Sequence, residues 1–219
     1  MRARKTAHNA RAGFTLLEIV FAVAILGLVL GSLTGVLDST RKGYGQGSAG
    51  ARAHADARRA IDRIAAELEN AGLGTLFPNP IGVAASDELF QTVAGVNPAT
   101  SAIIFNTSTR LRFAYEQGEA NNGLDDDGDG LVDEGQVILT RNVGQADEIS
   151  TTLVRGISEY LEGETGNVGD ENANGFNEEQ GFCMTLQGSL MILRITLERP
   201  VPEGNPVLAS VETAVRLKN

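Results

Sequence analysis

The chain begins with a sharp change in polarity. Residues 14–37 run for 24 positions with a single ionisable side chain, Glu18. As a helix this stretch would be about 36 Å long, enough to cross a hydrocarbon core of roughly 30 Å. A carboxylate at that depth costs on the order of 2.5–3.5 kcal/mol on insertion scales, so intramembrane charges normally have partners. Ahead of it, residues 1–13 carry Arg2, Arg4, Lys5 and Arg11 and no acid, which keeps this end on the cytoplasmic side of a membrane. Gly27, Gly31 and Gly35 recur every four residues, a spacing that permits close helix approach.

A glycine-rich stretch follows, with Gly43, Gly45, Gly47 and Gly50. Each weakens a helix by about 1 kcal/mol relative to alanine, so the stretch marks either a flexible hinge or a locally unwound part of one long helix. Helical periodicity then returns, with Ala57, Ile61, Ile64, Ala65 and Leu68 on one face. "NAGLG" at 70–74 reads as a stop. The pattern predicts a stem from Phe14 to about Gly72, membrane-spanning over 14–37 and soluble over 38–72, and then a head over 73–219.

The head pattern is mainly β. Strand-like runs fall at 102–105, 110–116, 136–141, 148–154, 190–198 and 207–217, the last alternating with Val207, Ala209, Val211, Val215 and Leu217 on one face. Residues 73–100, with Pro78, Pro80 and Pro98, read as a long irregular connection. The fold class expected is α+β, a stem helix packed on an antiparallel sheet.

Composition narrows the function. A formal charge of −10 excludes nucleic acid as a partner, since no basic stripe offsets phosphate repulsion. The single cysteine, Cys183, allows no internal disulfide and sits in the apolar run "FCMTL", where a small buried hydrophobe is expected rather than a nucleophile. His8 and His54 lie far from any partner, and no catalytic constellation is present; the chain is not expected to be an enzyme.

A plain signal anchor leaves Glu18 unexplained. The basic leader, Gly13, then "FTLLE" and a long apolar helix resemble the class III signal of type IV pilins and pseudopilins. That resemblance implies cleavage between Gly13 and Phe14 by a prepilin peptidase and methylation of the new Phe14 amino group. It makes Glu18 the fifth mature residue, whose carboxylate would meet the Phe14 ammonium of a neighbouring subunit in the assembling filament. Such a pair gains strength in a low dielectric. Loss of the leader would leave 14 basic against 28 acidic side chains, a formal −14. The stem's tail, "ARRAIDRIAAELENAG" at 57–72, looks most like the J-type minor pseudopilin of type II secretion or the W-type minor pilin.

Two segments align without a gap 45 residues apart: "NGLDDDGDGLVDE" at 122–134 and "NVGDENANGFNEE" at 167–179. Asp125, Asp127 and Asp129 match Asp170, Asn172 and Asn174, and Gly130 matches Gly175. This is the first two-thirds of an EF-hand loop: oxygen side chains at places 1, 3 and 5, glycine at 6, and the carbonyls of Leu131 and Phe176 at place 7. Place 12, normally a bidentate glutamate, is Gln136 or Gly181, so the closing carboxylates are expected from Asp133 or Glu134 and from Glu178 or Glu179. The bland alternative is two acidic surface turns. The two segments hold 10 of the 28 acids, a crowding that a cation relieves, so calcium, as two ions in loops spanning 122–136 and 167–181, is the expected cofactor.

Together these readings imply a structural subunit at or near the tip of a type II secretion pseudopilus or type IV pilus, helping to initiate the filament. The precursor would sit in the bacterial inner membrane by one span with its head in the periplasm. Expected partners are other pilins or pseudopilins through the stem, the peptidase, the inner-membrane assembly platform and secreted cargo. The alternative is a calcium-dependent adhesin or cargo-binding protein carried on a pilin stem.

Overall fold

A computed structural model of the chain describes residues 14–167, 169–202 and 204–218; the basic leader and Gly13 lie outside them. The chain divides into two compact units, Met1–Tyr44 and Gly45–Asn219, and the buried core belongs to the second.

Helix α1 (Leu16–Leu68) starts one residue after Thr15, whose hydroxyl accepts the Glu18 N–H at 3.2 Å. A threonine followed three residues later by glutamate is a sequence signature of a helix start. The helix runs without interruption through Gly43, Gly45, Gly47 and Gly50, so the glycine stretch is helical and not unwound. A Cβ on Gly43, Gly45 or Gly47 would meet nothing within 4 Å, and one on Gly50 would lie 3.4 Å from Val207.

The helix stops at Leu68, four residues before the position expected from sequence, because the sheet captures the chain beyond it. Ala71 pairs with Thr92 and Gly72 with Lys218, and the Leu73 N–H donates to the Lys218 carbonyl at 2.8 Å. Satisfying these backbone groups across the sheet competes with another helical turn.

Seven antiparallel strands form the head: β1 (Asp87–Val96), β2 (Ile103–Tyr115), β3 (Gly135–Arg141), β4 (Ile149–Ile157), β5 (Phe182–Gln187), β6 (Leu190–Arg199) and β7 (Val207–Arg216). They make two meanders, β1 to β4 and β5 to β7, joined where Ile157 of β4 pairs with Leu197 of β6. The α+β architecture is the expected pilin-like one. Two strands depart from expectation. β1 lies inside the stretch read as irregular, and β5 is the apolar run around Cys183, too uniformly buried to show alternation. The two runs at 102–105 and 110–116 belong to one strand, β2.

The core forms where one face of α1 meets the sheet. Ala57, Ala60, Ile61, Ile64 and Leu68 cluster with Phe90, Leu111, Val137, Leu139, Phe182, Leu193 and Ile195. Alanines on the helix face let the backbone approach closely, and the isoleucines and Leu68 fill the space between. Cys183 is buried among these strands with its thiol pKa pushed up, first by burial and then by the Glu179 carboxylate, which fits a packing role.

Candidate functional site: stem terminus and acidic loops

At the stem, Phe14 precedes the helix and Glu18 occupies its first turn, so the helix dipole's positive end favours its charge. Within 14–37 every large hydrophobic side chain is at least half exposed. A Cβ on Gly27, Gly31 or Gly35 would meet nothing within 4 Å. This part of α1 is long and apolar enough to cross a membrane. It offers an uncovered apolar surface, one carboxylate and an open glycine stripe.

The first acidic loop joins β2 to β3, and the second joins β4 to β5. Gly135, where β3 starts, pairs with Tyr115 on one side and Ile157 on the other, so both loops leave the same end of the sheet. A cleft of about 220 Å³ is lined by Val132 of the first loop and by Glu159, Tyr160 and Glu164 of the second.

The loops follow the same backbone path. Positive φ occurs at Gly118, Gly128, Gly130 and Asp133, and 45 residues on at Gly163, Ala173, Gly175 and Glu178. Gly130 and Gly175, at φ 94° and 95°, make the sharp turn that a side chain would strain. Asp125 accepts from the Gly128 N–H at 2.7 Å and the Gly130 N–H at 3.0 Å. Asp170 accepts from the Asn174 N–H at 3.0 Å and the Gly175 N–H at 2.9 Å. The Asp127 and Asn172 side chains accept from the N–H two residues on, each at 3.0 Å, and so do Asp129 and Asn174, at 2.9 and 3.0 Å.

The structure gathers Glu119, Asp125 and Asp127, and likewise Asp127, Asp129 and Glu134, with one oxygen of each residue within 4.8 Å of the others in its group. Glu134 is 1% exposed and neither carboxylate oxygen has a hydrogen-bond partner. Burial, followed by the charges of Asp129, Glu119 and Asp127, pushes its pKa up to about 7. Glu119 accepts from the Asp126 and Asp127 N–H groups through Oε1, while its buried Oε2 is unpartnered. Asp133 does different work: its carboxylate accepts from the Asn122 and Gly123 N–H groups at 3.0 and 2.7 Å and so fastens the loop's start. Leu131 turns its side chain into the protein, 2% exposed. Gln136 bonds Thr152 and the Tyr115 carbonyl from within β3.

In the second loop Glu179, also 1% exposed, takes the place of Glu134. Its Oε1 lies 3.3 Å from the Arg194 guanidinium, and its Oε2 accepts from the Asn172 and Asn174 amides. Glu178 is exposed, and Phe176 lies beneath Arg194, 5.8 Å from ring centre to guanidinium carbon. Glu164 accepts the Asn172 N–H through Oε1 at 3.2 Å, as Glu119 does for Asp127.

Sequence reasoning missed Glu119, Glu164 and Arg194. A signal was available for the first two, because the repeat extends upstream: "YEQGE" at 115–119 matches "YLEGE" at 160–164 in tyrosine, glycine and glutamate. Arg194 shows as the base that interrupts the apolar run Leu190–Leu197 within β6.

The prokaryotic N-terminal methylation motif, a prepilin-type signal, matches residues 8–34. No match is found among curated proteins or among solved structures. The motif and the architecture together are consistent with a type IV pilin-like protein.

Proposed function

We propose that the chain is a minor pseudopilin or minor pilin, a non-enzymatic subunit at or near the tip of an envelope filament that helps to start its assembly. The observation that carries this reading is the methylation motif over 8–34, which takes in most of an uncovered apolar stretch, 14–37, whose one acid is Glu18. Cleavage after Gly13 would create a charged amine on Phe14, and Glu18 sits one helical turn away on the same stem. In a bundle of such stems the carboxylate meets the amine of a neighbour, where exclusion of water strengthens the pair. The open stripe at Gly27, Gly31 and Gly35 would let neighbouring helices approach. Assignment to the tip rests on the resemblance of residues 57–72 to minor subunits. The assembly platform would receive the anchored precursor, with the head in the periplasm facing partner subunits or cargo.

The test is to express the full chain in a cell with active prepilin peptidase, and to shear and fractionate its filaments. Mass spectrometry should find a chain starting at methylated Phe14, present at a few copies per filament, and deletion should reduce filament number. A chain that keeps Met1, or one absent from filaments whose number is unchanged on deletion, overturns the proposal.

A further inference from the structure

We propose that the first acidic loop is a calcium site closed by Glu119 and Glu134, and that the second loop, built on the same backbone path, is closed by Arg194 from within the protein. The matching φ signs of the two loops, and the matching bonds to Gly130 and Gly175 and at the second and third ligand places, leave charge as the main difference between them. The inference is independent of the filament reading.

In the first loop Glu119, Asp125 and Asp127 form one group and Asp127, Asp129 and Glu134 a second, the two sharing Asp127, and none of the five has an ion pair among the described residues. Glu119 is 9% exposed and Glu134 1%. Between them, three buried carboxylate oxygens have no hydrogen-bond partner. Burying charge without a partner is costly, and a cation held at Asp127, where the two groups meet, removes that cost. Every candidate donor is oxygen, with no histidine or cysteine, which selects a hard cation. Two oxygens bound to one calcium at about 2.3–2.6 Å lie no more than roughly 4.6–5.2 Å apart, and the observed grouping within 4.8 Å fits that span. Magnesium demands a tighter octahedral shell and keeps several waters, so a cage of this many carboxylates suits it poorly.

In the second loop, Asn172 and Asn174 stand where the first has Asp127 and Asp129, which removes two charges. The carboxylate corresponding to Glu134 is already answered, since Arg194 reaches Glu179 from β6 at 3.3 Å and both its oxygens have partners. Of this loop's carboxylates, Glu164 alone has a buried oxygen without a partner, Oε2. Arg194 is also held by Glu212, Nε to Oε2 at 2.7 Å, and lies over Phe176. A guanidinium fixed on two sides serves as the loop's permanent cation.

The test uses the full chain in detergent, stripped with chelator and titrated with calcium chloride by calorimetry, with magnesium chloride as the comparison. One calcium per chain is expected, with a Kd on the order of 10⁻⁴–10⁻³ M and a rise in melting temperature of roughly 2–8 °C near saturation. Asp127→Ala and Glu134→Gln should each weaken binding about tenfold or more, while Asp170→Ala leaves the stoichiometry at one. Arg194→Met should make the melt more dependent on calcium than that of the unaltered chain. Should that variant fail to fold, the stoichiometry of the unaltered chain and of Asp170→Ala decides the matter. No binding heat, or identical melts in about 5 mM calcium and in chelator, overturns the calcium site. An equal response to magnesium overturns the choice of ion. Two ions of similar affinity overturn the role given to Arg194.

Discussion

Glu88 stands opposite Leu111 in the β1–β2 ladder, and both side chains are wholly buried. Neither carboxylate oxygen of Glu88 has a hydrogen-bond partner. Burial pushes its pKa up to about 8; a nearby Phe77 N–H pulls the other way without completing a hydrogen bond, and the Asp87 charge adds to the rise. The folded chain therefore holds a proton that the unfolded chain releases near the ordinary value of 4.5. Ionisation of Glu88 should cost nothing below that pH, cost progressively more up to about 8, and then level off. Glu88→Leu should raise stability at both ends of that range, and by more at pH 8 than at pH 4, a gap of at least about 1–3 kcal/mol. Urea unfolding of both chains across that range checks the difference, and parallel curves with no pH-dependent gap refute it.

Glu18 holds a place in the first helical turn and needs no partner within its own chain to fold. Glu18→Ala should leave cleavage after Gly13 intact, because the junction is unaltered, while reducing incorporation into filaments. Immunoblots of sheared filaments and of whole membranes separate the two steps. Normal incorporation removes the pairing role.

Ala57 is wholly buried where α1 meets the sheet, whereas Ala51 on the same helix is exposed. Ala57→Leu should destabilise the head by about 1–3 kcal/mol through overpacking. Ala51→Leu should change stability by no more than about 0.5 kcal/mol. Equal effects in thermal melts would show that the helix face has been wrongly identified.

A Cβ on Gly135, where β3 starts, would lie 2.2 Å from the Phe113 ring. Gly135→Ala should therefore force Phe113 out of its edge-on contact with Tyr115, whose ring centre lies 5.4 Å away. A loss of about 1–3 kcal/mol is expected, together with a changed near-ultraviolet tyrosine signal. An unperturbed signal and melt would show that the ring has room to move.

The stem and the alternating strands were legible because their patterns are local: a long apolar run, a helical face, and β7 with every second residue facing inward. β5 was not, since burial on both faces erases alternation, and β1 lies in a region whose prolines dominate its sequence signature. The loops' ligand places were legible from spacing, and their closing groups only in part. Asp133 and Glu134 are adjacent in sequence, and only the left-handed turn at Asp133 sends one to the loop's backbone and the other inward. Arg194 could not be assigned from sequence, because its pairing with Glu179 depends on how β6 aligns with the loop.

The two meanders share one strand pairing, Ile157 with Leu197, and the second loop spans that junction. The Ser158 N–H donates to the Thr196 carbonyl, and the Thr196 N–H to the Gly181 carbonyl. The Glu162 N–H donates to the Thr196 hydroxyl, while the Ser210 hydroxyl donates to the Glu162 carboxylate. The loop thus works as a rivet across the seam between the two meanders. Arg194 adds a tie from β6 to the same loop through its ion pair with Glu179. The first loop joins two strands of one meander, β2 and β3, and carries no part of that seam's strand pairing.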